Sequence, residues 1–365
     1  MHTHSSGLSY ARLSVRTYDV KPEDRIGNHS PLHFDMSTFG YFAGPLAGAT
    51  TVLIPEAYTK LPASLSQLME SKQLTIWYSV PAALIHLLVR GALEKRDLSS
   101  LRWVMFGGEP FSPKHLRALM KQWPHAIFSN VYGPTEVHQC TYYHVPAAES
   151  GIEDDFEDEK PIPIGKVWED TEGLVVDDLD QPVPRGEAGE LLIHSATMMQ
   201  GYWARPDLNA NAFCHPEVSG SSEKAFYRTG DLVRTQEDGN YLFLGRKDRQ
   251  IKTRGHRVEL DEVEAALAAD PNVMEAAAFP VRDNQGSRLI EAAAILVPGS
   301  EALPEDLMEH LSRHLAPYAL PVQIAILGKL PRTATGKVDR SRLQRLAEQK
   351  PELSSSRFIE DKIYG

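Results

Sequence analysis

Apolar and polar positions along this chain fall into three textures. Between residues 48 and 132, short apolar runs alternate with stretches of helical period. The runs at 48–55, 74–79, 101–106 and 127–132 read as strands, and 61–71, 81–90 and 113–122 as helices. The first run is expected to be a buried strand ended by Pro55. Asp35 and Ser37 are expected to close an earlier strand and open a helix over 38–46. Strands and helices alternating in this way predict a parallel α/β sheet. From 162 to 244 the pattern shifts to short strands and turns, at 174–176, 189–193, 226–228 and 239–243, as in a small β-sheet or barrel. Beyond 259 comes a compact α+β pattern, with helices at 259–270, 304–315 and 341–348 and strands at 273–280, 289–297 and 322–326.

Between the second and third textures lies a charge-rich, mostly basic stretch, 245–259. A lone charge run is ordinarily a solvated loop. This one separates regions of different pattern and so reads as a domain boundary. The expected organisation is a large region, 1–247, made of a sheet subdomain at 1–145 and a β-rich subdomain at 160–247. A small domain at 248–345 and a loose tail at 346–365 follow. The acidic stretch 149–159 reads as a solvated loop.

Composition narrows the class. A chain of 365 residues suits two or three domains, and 42% hydrophobic with 24% charged residues is an ordinary globular balance. A net charge of −11 argues against general affinity for nucleic acid or an anionic membrane. Two cysteines, Cys140 and Cys214, make no disulfide framework and fit a reducing compartment. No signal-like start is seen, and no apolar run reaches membrane-spanning length. A soluble, cytoplasmic protein is expected.

Candidate chemistry gathers at predicted strand ends, where ligands of parallel sheets bind. Asp35, the pair Gly107-Gly108, and Tyr132-Gly133-Pro134-Thr135-Glu136 occupy such positions. Each alone would be a turn. Asp231 follows Gly230 and alone reads as an ordinary turn residue. Lys337 sits in a Gly-containing polar loop and alone reads as exposed.

Taken together, these segments stand in one family's order. They are Phe34-Asp35-Met36-Ser37, Tyr132 to Glu136, Gly189 to Ile193 with Gly201-Tyr202-Trp203, and Tyr227 to Leu232. Gly245 to Glu259, Leu315 to Pro321 and Thr335 to Arg340 continue the series. The chain resembles the adenylate-forming enzymes, specifically the amino-acid adenylation domains of non-ribosomal peptide synthesis. The resemblance implies an adenylate-forming α/β fold. Its large N-terminal domain would be partial, with a parallel sheet and a small β-sheet or barrel, and a small α+β lid domain would follow.

The resemblance also implies ATP and Mg²⁺ as cofactors. It implies a reaction in which a carboxylate attacks the α-phosphate of ATP and the acyl group then passes to a thiol. Lys337 would be the catalytic cation, bridging carboxylate and phosphate. Glu136 would ligate Mg²⁺, and Thr135 would donate to the α-phosphate. Tyr132 would stack on adenine, with Gly108, Glu109 and Pro110 across the other face. Asp231 would accept the ribose hydroxyls, Arg246 would touch the same ribose, and Asp248 would be the hinge.

Asp35 matches the carboxylate that pairs with an α-amino group. Met36, Phe39, Tyr78, Met105 and Gly107, with Val131, Gln139 and Cys140, would line the side-chain pocket. That set carries no charge and implies a small or medium neutral amino acid. The run at 107–111 and the segment from Cys140 resemble free-standing ligases that load L-proline. The carrier protein, bearing phosphopantetheine, is expected in trans. The family's Ser/Thr/Gly-rich phosphate loop would fall just before residue 1, so impaired activity is expected. Two alternatives stay open: an acyl- or aryl-coenzyme A ligase, and a non-catalytic truncated fold serving as a binding module.

Overall fold

Pro62, Pro81 and Pro113 each sit in the first turn of a helix, in Pro62–Ser71, Pro81–Arg90 and Pro113–Gln122. A first-turn N–H has no partner within the helix, so proline starts these helices without losing a hydrogen bond. The computed structural model describes residues 1–147, 161–216, 224–247, 249–253, 255–283, 287–333 and 338–349. The chain divides into two compact units, Met1–Lys247 and the segment that follows it.

The first unit is built on a seven-stranded sheet. Its strands are β1 (Arg25–Asn28), β2 (Thr50–Leu53), β3 (Ile76–Ser79), β4 (Trp103–Gly107), β5 (Ile127–Tyr132), β6 (Thr141–His144) and β7 (Lys166–Val167), in the order β2-β1-β3-β4-β5-β6-β7. β1 to β5 are parallel, and β6 and β7 close the sheet antiparallel. β3 and β4 are buried along their whole length, which is why their sequences run apolar without alternating.

Neighbouring residues still part to opposite faces. Trp77, Val104 and Phe106 join one core with Leu84, Leu87, Leu116 and Leu119 of the helices. Ile76, Tyr78, Trp103, Met105 and Val131 join the other, with Tyr10, Tyr18 and Phe39.

Three expectations need correction here, and one element is new. β2 is a partly exposed edge strand, not a buried one. β1 ends at Asn28, and Asp35 lies seven residues further on, opening a 3₁₀ turn, Asp35–Ser37. The helix expected over 38–46 is a π-helical turn, Phe39–Ala43, running into a short helix, Gly44–Ala47. An unexpected 14-residue helix, His4–Thr17, opens with a Thr3/Ser6 capping box and packs Tyr10 and Leu13 into the second core.

The rest of the first unit is an antiparallel sheet of β8 (Thr171–Val176), β9 (Ala188–Ser195), β10 (Phe213–Cys214), β11 (Phe226–Thr235) and β12 (Tyr241–Arg246). In the second unit β13 (Gln250–Thr253) and β14 (His256–Glu259) form an antiparallel pair. The basic stretch is therefore largely strand and not the continuous loop its charge suggested. β15 (Val273–Arg282), β16 (Arg288–Leu296) and β17 (Gln323–Ile326) make a three-stranded sheet. Ala278, Ile290 and Ala292 pack with Val263, Leu307 and Leu311 of helices Leu260–Ala268 and Pro304–Ser312. The alternate residues Ala277, Phe279 and Ala293 pack with Leu343 of helix Arg340–Glu348.

Candidate active site

β11 is not a simple strand. Its ladder with β9 shifts register between Arg228 and Leu232, so Thr229, Gly230 and Asp231 form a bulge where a turn was expected. Bulges re-aim a side chain, and this one is pinned on three sides. Thr229 Oγ1 donates to the Leu191 carbonyl at 2.7 Å and accepts from the Asp231 N–H at 3.0 Å. The Gly230 N–H donates to Glu190 Oε1 at 3.2 Å.

The bulge presents the Asp231 carboxylate to two donors. Arg246, opposite it in β12, donates from Nη1 to Oδ1 at 2.7 Å. Tyr132, at the end of β5, donates its hydroxyl to Oδ2. The Asp231 side chain is 3% exposed and that of Arg246 10%. Burial, and then the adjoining Asp231 charge, push the Tyr132 phenol well above its ordinary range, which keeps it a donor. Three expected nucleotide-binding residues thus share one hydrogen-bonded cluster.

Beyond Tyr132 the chain folds tightly back. A Cβ on Gly133 would lie 1.7 Å from the His138 carbonyl oxygen, so only glycine fits. His138 itself takes a left-handed backbone, at φ 57°. In this loop Thr135 Oγ1 donates to Asp35 Oδ2 at 2.5 Å. The Glu136 carboxylate is buried and accepts from the Tyr202 hydroxyl at 2.7 Å. A carboxylate so placed suits a hard cation that draws its remaining oxygens from phosphates and water. No group of three or more potential metal ligands occurs among the described residues.

The expected pocket residues divide. Phe39, Tyr78, Met105 and Val131 share one core face, with Met36 packed against it. Strand register explains this, since Tyr78 pairs with Met105 and Gly107 with Val131. A Cβ on Gly107 would sit 2.1 Å from the Val131 carbonyl oxygen. Gln139 Nε2 donates to Tyr78 Oη at 2.8 Å. Cys140 falls elsewhere, in the core shared by Tyr132, Ile164 and Leu191. The Glu109 carboxylate accepts from the Ala82 N–H at 3.0 Å and so supports the start of helix Pro81–Arg90. Lys337 and Asp248 lie outside the described residues.

Two neighbours were not anticipated. Tyr202 was visible only as part of a motif. His138 is buried, with its Nδ1 unpartnered among the described residues, and carried no sequence signal. Its ring lies 4.3 Å from that of His2 and 4.9 Å from that of Tyr10. Burial lowers its pKa to about 4, so it is neutral at pH 7.

Comparison with known proteins decides the family. Residues 1–203 match the AMP-binding enzyme family and residues 262–337 the AMP-binding enzyme C-terminal domain. The chain belongs to the AMP-binding enzymes. Among curated AMP-binding enzymes it is 35% identical over 347 residues to an L-proline–[L-prolyl-carrier protein] ligase of Pseudomonas fluorescens, a match covering 95% of this chain and 65% of that one. A ligase of the same name from Streptomyces coelicolor is 35% identical over 352 residues, covering 96% of this chain and 63% of that one. The chain therefore spans just under two thirds of each relative's length. Among solved structures, the Vibrio cholerae adenylation domain AlmE, in complex with glycyl-adenosine-5'-phosphate, aligns with a TM-score of 0.79 at 26% identity. That alignment covers 94% of this chain and 63% of that one. No helix among the described residues is long and apolar enough to cross a membrane.

Proposed function

We propose that this AMP-binding enzyme activates an α-amino acid with ATP as an aminoacyl-adenylate. It then passes the acyl group to the phosphopantetheine thiol of a separate carrier protein, in non-ribosomal peptide or related secondary-metabolite synthesis. The observation that carries this reading is the bond between Thr135 and Asp35. It joins the carboxylate expected to hold an amino group to the segment expected to face the nucleotide, across 100 residues of sequence. A reaction that unites an amino acid's carboxylate with a phosphate needs those two anchors side by side.

Each residue then has a physical task. Asp231, buried between Tyr132 and Arg246, is an acceptor suited to paired ribose hydroxyls. Tyr132 offers a ring for adenine, with the 108–110 segment as the opposing wall. Thr135 exchanges Asp35 for a phosphate oxygen once the amino group arrives. Glu136 would hold Mg²⁺, which neutralises phosphate charge when bound. Lys337 would supply the fixed cation that lets carboxylate and α-phosphate approach. Asp248 would be the pivot between the two half-reactions.

The neutral lining of Phe39, Tyr78, Met105 and Val131 fits a small or medium neutral amino acid, and the relatives' names point to L-proline. Amino-acid-dependent pyrophosphate exchange by the full-length protein tests the reading. Exchange with amino acids and none with their deaminated analogues is expected, with loss on Asp35→Ala. Equal exchange with free aryl or fatty acids would defeat it.

A further inference from the structure

Inside the apolar layer beside Asp35 lies one polar pair that packing alone does not require. Gln139 is 7% exposed and Tyr78 6%. Gln139 Nε2 donates to Tyr78 Oη at 2.8 Å, and Gln139 Oε1 has no hydrogen-bond partner among the described residues. Apolar side chains flank the pair. The Phe39 ring stands edge-on to Tyr78 with centroids 6.1 Å apart, and Met105 is Tyr78's partner across β3 and β4. A leucine or methionine at 139 would fill the same space. A buried amide oxygen left without a donor is costly, so its retention calls for an explanation.

The pair's hydrogen-bonding capacity is specific. Tyr78 is deeply buried and lies within the electrostatic reach of Tyr10 and Asp35, so its phenol stays protonated. With its oxygen taken by the Gln139 amide, its own hydrogen remains to be donated. The pair therefore offers one donor, from Tyr78, and one acceptor, Gln139 Oε1. Should the amide be turned end for end, Oε1 would accept from Tyr78 and Nε2 would become the free donor. A hydroxyl both donates and accepts, and so answers either arrangement.

We infer that the Tyr78–Gln139 pair makes this pocket selective for a neutral amino acid whose side chain bears a hydroxyl. The inference rests on the amino-acid reading above and departs from the L-proline to which the relatives' names point, because L-proline has no side-chain group that could bond to this pair. Sites built to hydrogen-bond a substrate hydroxyl can reject the analogue lacking it by as much as about 10⁴-fold, because their own buried polar groups are then left unpaired.

The test compares matched substrates on the full-length protein by pyrophosphate exchange: 4-hydroxy-L-proline against L-proline, and L-threonine against L-valine. In at least one pair the hydroxylated member should show a kcat/KM higher by about tenfold or more. Gln139→Leu should remove or invert that preference, and Tyr78→Phe should weaken it. An equal or opposite preference in both pairs, in the unmodified protein, overturns the inference without reference to any variant. So does an unchanged preference in a folded Gln139→Leu protein. Exchange with free aryl or fatty acids but with no amino acid would instead remove the underlying reading, and the inference would fall with it.

Discussion

Arg246 and Asp231 face each other across the β11/β12 ladder, and the guanidinium donates to Asp231 Oδ1 over 2.7 Å. Both side chains are largely withdrawn from water. Breaking a buried pair from one side costs about 3–5 kcal/mol, because the remaining charge has no partner. Asp231→Ala should therefore lower the thermal midpoint as well as weaken ATP binding. Tyr132→Phe, which leaves the ion pair in place, should lose ATP affinity with a smaller change in midpoint. Calorimetric scanning alongside ATP titration checks both, and equal midpoints for the two variants would contradict the ranking.

Gly133→Ala is expected to be costly for a purely steric reason. The new methyl would meet the His138 carbonyl oxygen at 1.7 Å, and backbone has little room to yield. Overpacking of this kind costs about 1–3 kcal/mol or more. Displacing the loop should also carry Thr135 and Glu136 out of place. Urea unfolding should show a lower midpoint, and adenylation should fall more steeply than stability.

Glu264 provides a pH-dependent test. Its carboxylate accepts from Arg340 Nε and Nη2, both at 2.8 Å, from Arg249 Nη2 at 2.6 Å, and from the Ala278 N–H at 2.7 Å. Burial opposes its charge, but these bonds outweigh that effect and hold its pKa down to about 2. An unfolded Glu titrates near pH 4.3, so the stabilisation is fully present above about pH 5 and fades as the pH falls toward 2. A shift of that size corresponds to something on the order of 3 kcal/mol. Urea midpoints of the unmodified protein should drop between pH 5 and pH 3 by more than those of Glu264→Gln. Parallel pH profiles would refute the assignment.

Lys337→Ala should separate the two half-reactions. Loss of a fixed cation aimed at developing charge costs about 10²–10³ in rate. Adenylation should fall by that factor, while thiol transfer from a preformed aminoacyl-adenylate should be nearly unchanged. Equal losses in both steps would count against the role given to this residue.

Much of the sheet was legible because local chemistry and tertiary position agree. Prolines mark the starts of three helices, and the runs at β3 and β4 are apolar because both faces are covered. Helix His4–Thr17 was not legible, since four of its fourteen residues are Ser and its buried face is narrow. The Gly230-Asp231 dipeptide looks like a turn. Nothing local reveals that Glu190 and Leu191, some forty residues earlier in the chain, hold it as a bulge. The site depends on such distant pairs. Tyr132 and Asp231 are 99 residues apart, and Gln139 reaches back 61 residues to Tyr78. Spacing carries no signal for those contacts, and the family resemblance implied tasks for these residues but neither bond.

If the proposed amino-acid pocket is the one lined by Phe39, Tyr78, Met105 and Val131, Gly107 limits how it can change its substrate. A methyl at that position would press on a backbone oxygen of the adjacent strand, which cannot be trimmed by mutating a side chain. The pocket can therefore be made shallower or deeper at Phe39, Tyr78, Met105 or Gln139, but not from this wall. An engineer seeking a bulkier or slimmer substrate, or a lineage drifting toward one, would have to work at those side chains and leave the glycine in place.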